Sequence, residues 1–186
     1  MAFIIALVVI VLLVLWLVGI YNTLVRLRNN REEAFAGIDV QLQQRHDLIP
    51  NLVATVKGYA THESETLQKV TEARAAAMGA QTIGEKIQAE QQLGQALVNM
   101  KIAMEAYPEL KANQNFLELQ GELSDIENKL AAARRYFNSA TKEYNNSVQA
   151  FPNNLIANNF GFHKEPMFEI SEEERATVSK APEVKF

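Results

Sequence analysis

The chain has 186 residues, a formal net charge of −4 from 18 basic and 22 acidic side chains, and no cysteine. That length supports one domain with a sizeable core. The acidic balance argues against the basic stripe of a nucleic-acid-binding protein, and the lack of cysteine excludes a disulfide framework or a thiolate site.

Residues 2–20, AFIIALVVIVLLVLWLVGI, carry no charged side chain. As a helix this run rises about 28 Å, close to the roughly 30 Å hydrocarbon core of a bilayer. Trp16 and Tyr21 stand near its end, where amphipathic aromatics favour the membrane interface. No Lys or Arg precedes the run and no small-residue cleavage pair directly follows it. An uncleaved single-pass anchor therefore fits better than a secretory leader. Arg26, Arg28 and Arg31 come next, and the positive-inside rule predicts the bulk of the chain on the cytoplasmic side. Long domains can override that bias, which leaves the periplasmic side open.

Beyond the anchor the pattern is helical throughout. Phe35, Ile38, Leu42, Arg45, Ile49, Leu52, Val56 and Tyr59 recur in steps of three and four. The seam keeps its register across Pro50, which predicts one long helix kinked there. The alternative is a new helix capped by Asp47 with Pro50 in its first turn. A turn is expected over 58–61, then an Ala-rich second helix over 62–78 with Leu67, Val70, Arg74 and Ala77 in step, ended by Gly79. Thr82-x-x-Glu85 reads as a capping box opening a third helix, which carries Ile83, Ile87, Leu93, Leu97, Met100 and Met104 and stops at Tyr107-Pro108. Asn115-x-x-Glu118 is placed to cap a fourth.

That fourth helix has the most regular pattern: Phe116, Leu119, Leu123, Ile126, Leu130, Ala133, Phe137, Ala140 and Tyr144 alternate steps of three and four without a miss. Such a heptad seam, about 40 Å long, needs a partner helix of equal length. Phe151-Pro152 ends it, residues 154–160 suggest a short helical turn, and residues 161–186 read as a polar, acidic tail, largely disordered.

Short loops make neighbouring helices antiparallel. The predicted fold is all-α: a transmembrane helix (1–20) continuing into an up-and-down four-helix bundle (21–160) with long first and last helices. Near the bilayer the second and third helices are too short to reach, leaving a two-helix stalk. Leu24, Leu27, Phe35, Tyr136, Tyr144, Val148 and Phe151 are then candidates for self-association through exposed apolar flanks. The alternative is that residues 152–168 fold back over those flanks in a monomer.

Arg45 occupies a seam position, so either its head reaches solvent over a packed stem or it forms a buried ion pair with the fourth helix, at Glu122 or Asp125. Arg134 and Arg135 are likewise expected near Glu32, Glu33 and Asp39. His46, His62 and His163 lack metal-ligand spacing, and His62-Glu63 has Thr66 where a zinc helix would place its second His. No catalytic, metal or cofactor site is predicted. The expected function is that of a non-enzymatic, membrane-anchored scaffold or adaptor, homo-oligomeric and engaging other membrane or envelope proteins, with no nucleic-acid partner. The competing reading is a membrane-tethered sensor whose bundle core admits a small molecule beside Met100, Met104 and the Ala-rich helix.

Four stretches carry a family resemblance. They are YNTLVRLRNN from Tyr21, QRHDLIPNLVATVKGYATHE over 44–63, YPELKA from Tyr107, and FPNN from Phe151. Together they resemble the LemA family of bacterial membrane proteins over roughly residues 21–168. One departure is Phe137, which follows Tyr136 where a second Tyr would be expected. The resemblance implies a single-pass protein of the bacterial inner membrane with a helical bundle and no established enzymatic activity.

Overall fold

The computed structural model describes residues 1–60 and 63–168 and contains, among them, six helices: α1 (Ala2–Lys57), α2 (Ser64–Gly79), α3 (Ile83–Met104), α4 (Pro108–Lys111), α5 (Gln114–Gln149) and α6 (Asn153–Phe160). The architecture is all-α, as the periodicity predicts. Helix α1 runs unbroken for 56 residues, with Pro50 inside it. The single-helix reading across Pro50 therefore holds. Residues 2–19 are exposed along the whole apolar run, so this part of α1 is not the core helix of a soluble bundle.

Helix α5 packs antiparallel along α1, and α2 and α3 form a hairpin against the half distant from the anchor. The Thr82 hydroxyl accepts from the Glu85 backbone at 3.2 Å and the Glu85 carboxylate accepts from the Thr82 backbone at 2.9 Å, completing the capping box. The cap of α5 is Asn113, not Asn115: its side chain accepts from the Phe116 backbone at 3.0 Å. Asn115 falls inside the first turn of α5, which follows the single turn of α4.

Three apolar clusters follow one another along the bundle. The distal one joins Ile49, Leu52 and Val56 of α1 to Leu67, Leu93, Met100, Met104 and Phe116. The middle one holds Phe35, Ile38, Leu42, Ile87, Ile126, Leu130, Phe137 and Phe168. The third, beside the anchor, holds Ile20, Leu24, Leu27, Tyr144, Val148, Ala157 and Phe162.

The third cluster corrects two expectations. Of the seven residues expected as exposed flanks, Leu24, Leu27, Phe35, Tyr144 and Val148 are buried within one chain; Tyr136 and Phe151 are exposed. Residues 161–168, assigned to the polar tail, instead run extended beside the stalk with Phe162 and Phe168 buried. A two-helix stalk cannot bury both sides of its seams, and α6 with the non-helical segment behind it supplies the missing wall. This is the fold-back alternative. The expected disorder of the remaining tail lies outside the described residues, as does His62.

Leu130 is fully buried whereas Leu123 only borders the distal core. Leu130→Ala should therefore cost about 2–5 kcal/mol, and Leu123→Ala less, in denaturation of the detergent-solubilised chain.

Candidate functional site

Pro50 has no backbone N–H, so the carbonyl four residues earlier, at His46, loses its helical partner. The Arg74 guanidinium of α2 fills the vacancy, its Nε donating to the His46 carbonyl at 2.7 Å. One turn of α1 is thereby tied to α2. The adjacent side chains tie it to the other two helices. Arg45 contacts Glu90 of α3 through Nη2 and donates from Nη1 to Glu127 of α5 at 2.6 Å. His46 Nε2 lies 2.7 Å from the other Glu90 oxygen. Arg45 and Glu90 are 1% and 2% exposed, so no solvent-borne substrate reaches them. An unpaired charge there would be costly, and the two carboxylates divide the guanidinium between them.

His46 is pushed down from 6.5 to about 4, first by burial and then by the positive charges of Arg45 and Arg74. The Glu90 carboxylate is shared between His46 and Arg45. Neutral His46 thus donates its Nε2–H to Glu90. The cluster is a closed polar knot through α1, α2, α3 and α5, and its chemistry is structural.

Arg45 makes the buried ion pair expected of it, with different partners. Side chains lean toward the N-terminus of their helix, so Arg45 reaches toward the anchor. In the antiparallel α5 that direction is toward higher numbers, to Glu127. Glu122 and Asp125 face solvent, and Asp125 pairs with Lys129 at 2.7 Å one turn on. Glu32, Glu33 and Arg135 are also exposed, and Asp39 pairs with Lys86 of α3 at 2.6 Å. Arg134 stacks on Phe168 at 5.3 Å from the ring centre. The sequence reading missed Glu90, although a carboxylate at a core step between Ile87 and Leu93 is itself a signal for a buried partner.

A second constellation holds the returning strand. Asn145 donates to the Glu165 carbonyl at 2.9 Å and accepts from the Glu165 N–H at 2.8 Å. Asn138 does the same at Phe168, at 2.9 Å both ways. Seven helical residues rise about 10.5 Å and three extended residues about 10 Å, so the two ladders stay in step. Arg31, buried, pairs with Glu165 at 3.2 Å and stacks on Phe137 at 5.1 Å. Phe162 lies 5.7 Å from Tyr21 and Phe168 lies 5.7 Å from Phe137, centre to centre.

Met100 and Met104, which the sensor alternative sets beside a ligand space, are both buried in the distal cluster. An open cleft of about 380 Å³ does lie at the α2–α3 turn, lined by Ala76, Gly79, Gln81, Glu85, Gln88 and Gln92. Its Glu85 is committed to the capping box. Among the described residues no three His, Cys, Asp or Glu side chains converge as a metal site would require.

A sequence model of the LemA family matches residues 34–186. The chain belongs to the LemA family. The match takes in every residue of the knot and both asparagine clamps, and starts beyond the anchor. Among similar proteins, Protein LemA of Metamycoplasma hominis is 26% identical over 87% of this chain and 74% of its own length. Magnetosome protein MamQ 2 of Paramagnetospirillum magneticum is 24% identical, and so is Magnetosome protein MamQ of Magnetospirillum gryphiswaldense, each over 80% of this chain. The chain spans 64% of the length of those two magnetosome relatives. LemA proteins are membrane-associated, in keeping with the exposed apolar run of α1.

Two outcomes follow from these geometries. Unfolded chain binds a proton at His46 below about pH 6.5, whereas the native chain binds it only near pH 4. The His46 contribution is thus fully present above pH 6.5 and lost as pH falls toward 4. The Tm advantage of wild type over His46→Gln should shrink across that window; a constant difference would mean that folding leaves the His46 pKa unshifted, and a growing one that His46 is charged in the fold. Separately, Asn138→Ala combined with Asn145→Ala should raise amide exchange at Glu165 and Phe168 and leave α2 and α3 unchanged. Unaltered exchange at both amides would mean that the strand is held by its aromatic plugs alone.

Proposed function

We propose that this LemA-family protein is a non-enzymatic scaffold of the bacterial inner membrane, working through copies of itself and through other membrane or envelope proteins. The observation that carries the reading is the closed knot on a helix continuous with the anchor. It makes anchor, stalk and distal bundle one body that presents its far end about 55 Å from the membrane, taking residues 21–57 as helix. The buried polar groups hold helices together, and the packing of Met100 and Met104 among the apolar side chains of the distal cluster favours this reading over a ligand sensor.

Confinement of anchored copies to one plane raises their effective concentration, so weak side-by-side contacts suffice. With five of the seven candidate flank residues covered by the chain itself, contact between copies falls to what stays exposed on the stalk. Tyr136, 66% exposed on α5, is the candidate we favour. The cytoplasmic orientation rests on the positive-inside count, of which Arg31 is partly spent on Glu165. Crosslinking in intact membranes followed by mass spectrometry should yield Tyr136-proximal links between copies. Light scattering should give a mass above monomer that falls in Tyr136→Glu. A clean monomer in mild detergent and in nanodiscs alike would remove the self-association reading.

A further inference from the structure

Where the stalk meets the end of the anchor, large apolar side chains are left uncovered. Phe151 is 79% exposed, Leu155 55% and Phe160 61%. They sit on the turn between α5 and α6 or on α6 itself. One side of α6 is packed on the stalk: Ala157 is fully buried, with Ile156 packed beside it. Leu155 stands on the side of α6 away from Ala157, whereas Phe160 lies toward the Ala157 side with its ring edge against Tyr21 and is exposed beyond that contact.

Packing fixes the height of this uncovered side. Val148, near the end of α5, shares a cluster with Ile20 and Leu24, and the Phe160 ring centre lies 5.2 Å from that of Tyr21. Residues 2–19 of α1 are exposed while Ile20 is 8% exposed, so the protein's own cover stops at the last residue of the apolar run. The turn that follows α5 continues toward the anchor from Val148. Phe151 and α6 thus lie level with the end of the span, beside Tyr21.

We propose that Phe151, Leu155 and Phe160 form a membrane foot, seated in the headgroup–acyl boundary of the same bilayer that α1 crosses. The occupant is lipid because the anchor sets the bilayer edge at residue 20 and so brings these side chains to it in every copy, with or without a neighbour. Short amphipathic helices bind such interfaces by immersing their apolar face, and Tyr21 at that level and Trp16 about 7.5 Å deeper are the aromatics that interfaces favour. Arg26, exposed about 9 Å further out along α1, is placed for lipid phosphates. The foot is a second attachment, and it holds the stalk at a fixed depth and rotation. The inference rests on the anchor reading.

The chain has one tryptophan, Trp16, so quenching by bromine-labelled lipids separates the two attachments. The full chain is placed in nanodiscs of lipids brominated at a shallow acyl position. In wild type, Trp16 reports the anchor. In a Trp16→Phe background, Phe151→Trp and Leu155→Trp report the foot. Tyr136→Trp, about 22 Å up the stalk, is the exposed control. Phe151→Trp and Leu155→Trp should be quenched severalfold more than Tyr136→Trp. Quenching no greater than the control, with Trp16 quenched, overturns the foot and leaves the anchor standing. An unquenched Trp16 overturns both. Blue-shifted, unquenched emission that varies with the protein-to-lipid ratio means that a second copy covers the patch, which also overturns the foot. If Phe151→Trp loses helix content by circular dichroism, Leu155→Trp alone decides the matter, since its side chain stands outside the packed clusters.

Discussion

The bundle depends on a carbonyl that its own helix cannot satisfy. Pro50 withdraws the N–H that would have closed the turn on His46, and Arg74 closes it from α2. A mid-helix proline costs about 3 kcal/mol in an isolated helix. Here the vacancy is also an attachment point, and the loss is offset by a charge-assisted bond between helices. The polar side chains beside that turn are interlocked: Arg45 to Glu90 and Glu127, Glu90 to His46. Apolar seams permit sliding by a heptad, because one leucine layer resembles the next. A guanidinium shared by carboxylates on two other helices does not, so the knot sets the register of all four long elements.

The membrane-proximal half solves a different problem. The α2–α3 hairpin ends level with Asp39 and Lys86, and below it two helices alone cannot enclose a core. The chain closes the gap with its own return segment. Asn138 and Asn145 bond backbone atoms only, so their grip does not depend on the side chains of the strand. The selective contacts are made by Phe162 and Phe168, each plugged into a cluster.

Periodicity made the helices legible, because steps of three and four are a direct image of a buried face. The capping box at Thr82, the passage through Pro50 and the antiparallel order could all be read in the same way. Arg45 was legible as a buried charge, but its partners were not. Choosing Glu127 over Asp125 needs the lean of side chains along α1, and Glu90 lies on a helix that the pairing of long seams does not include. The returning strand was legible only as an alternative. Its extended residues have no helical period, and Phe162 and Phe168 sit among polar neighbours that read as tail. What distinguishes them is the match between seven helical and three extended residues, which becomes visible only once both backbones are placed.

Because α1 is one helix from the first anchor residue to Lys57, an angle set inside the bilayer is carried undiminished to the far end. Membrane helices commonly tilt by about 20°. Over a lever of about 55 Å, that tilt moves the distal bundle sideways by roughly 19 Å, further than the diameter of a helix with its side chains. On the proposed anchoring, whatever changes the lean of the anchor would be converted into lateral position at the distal end.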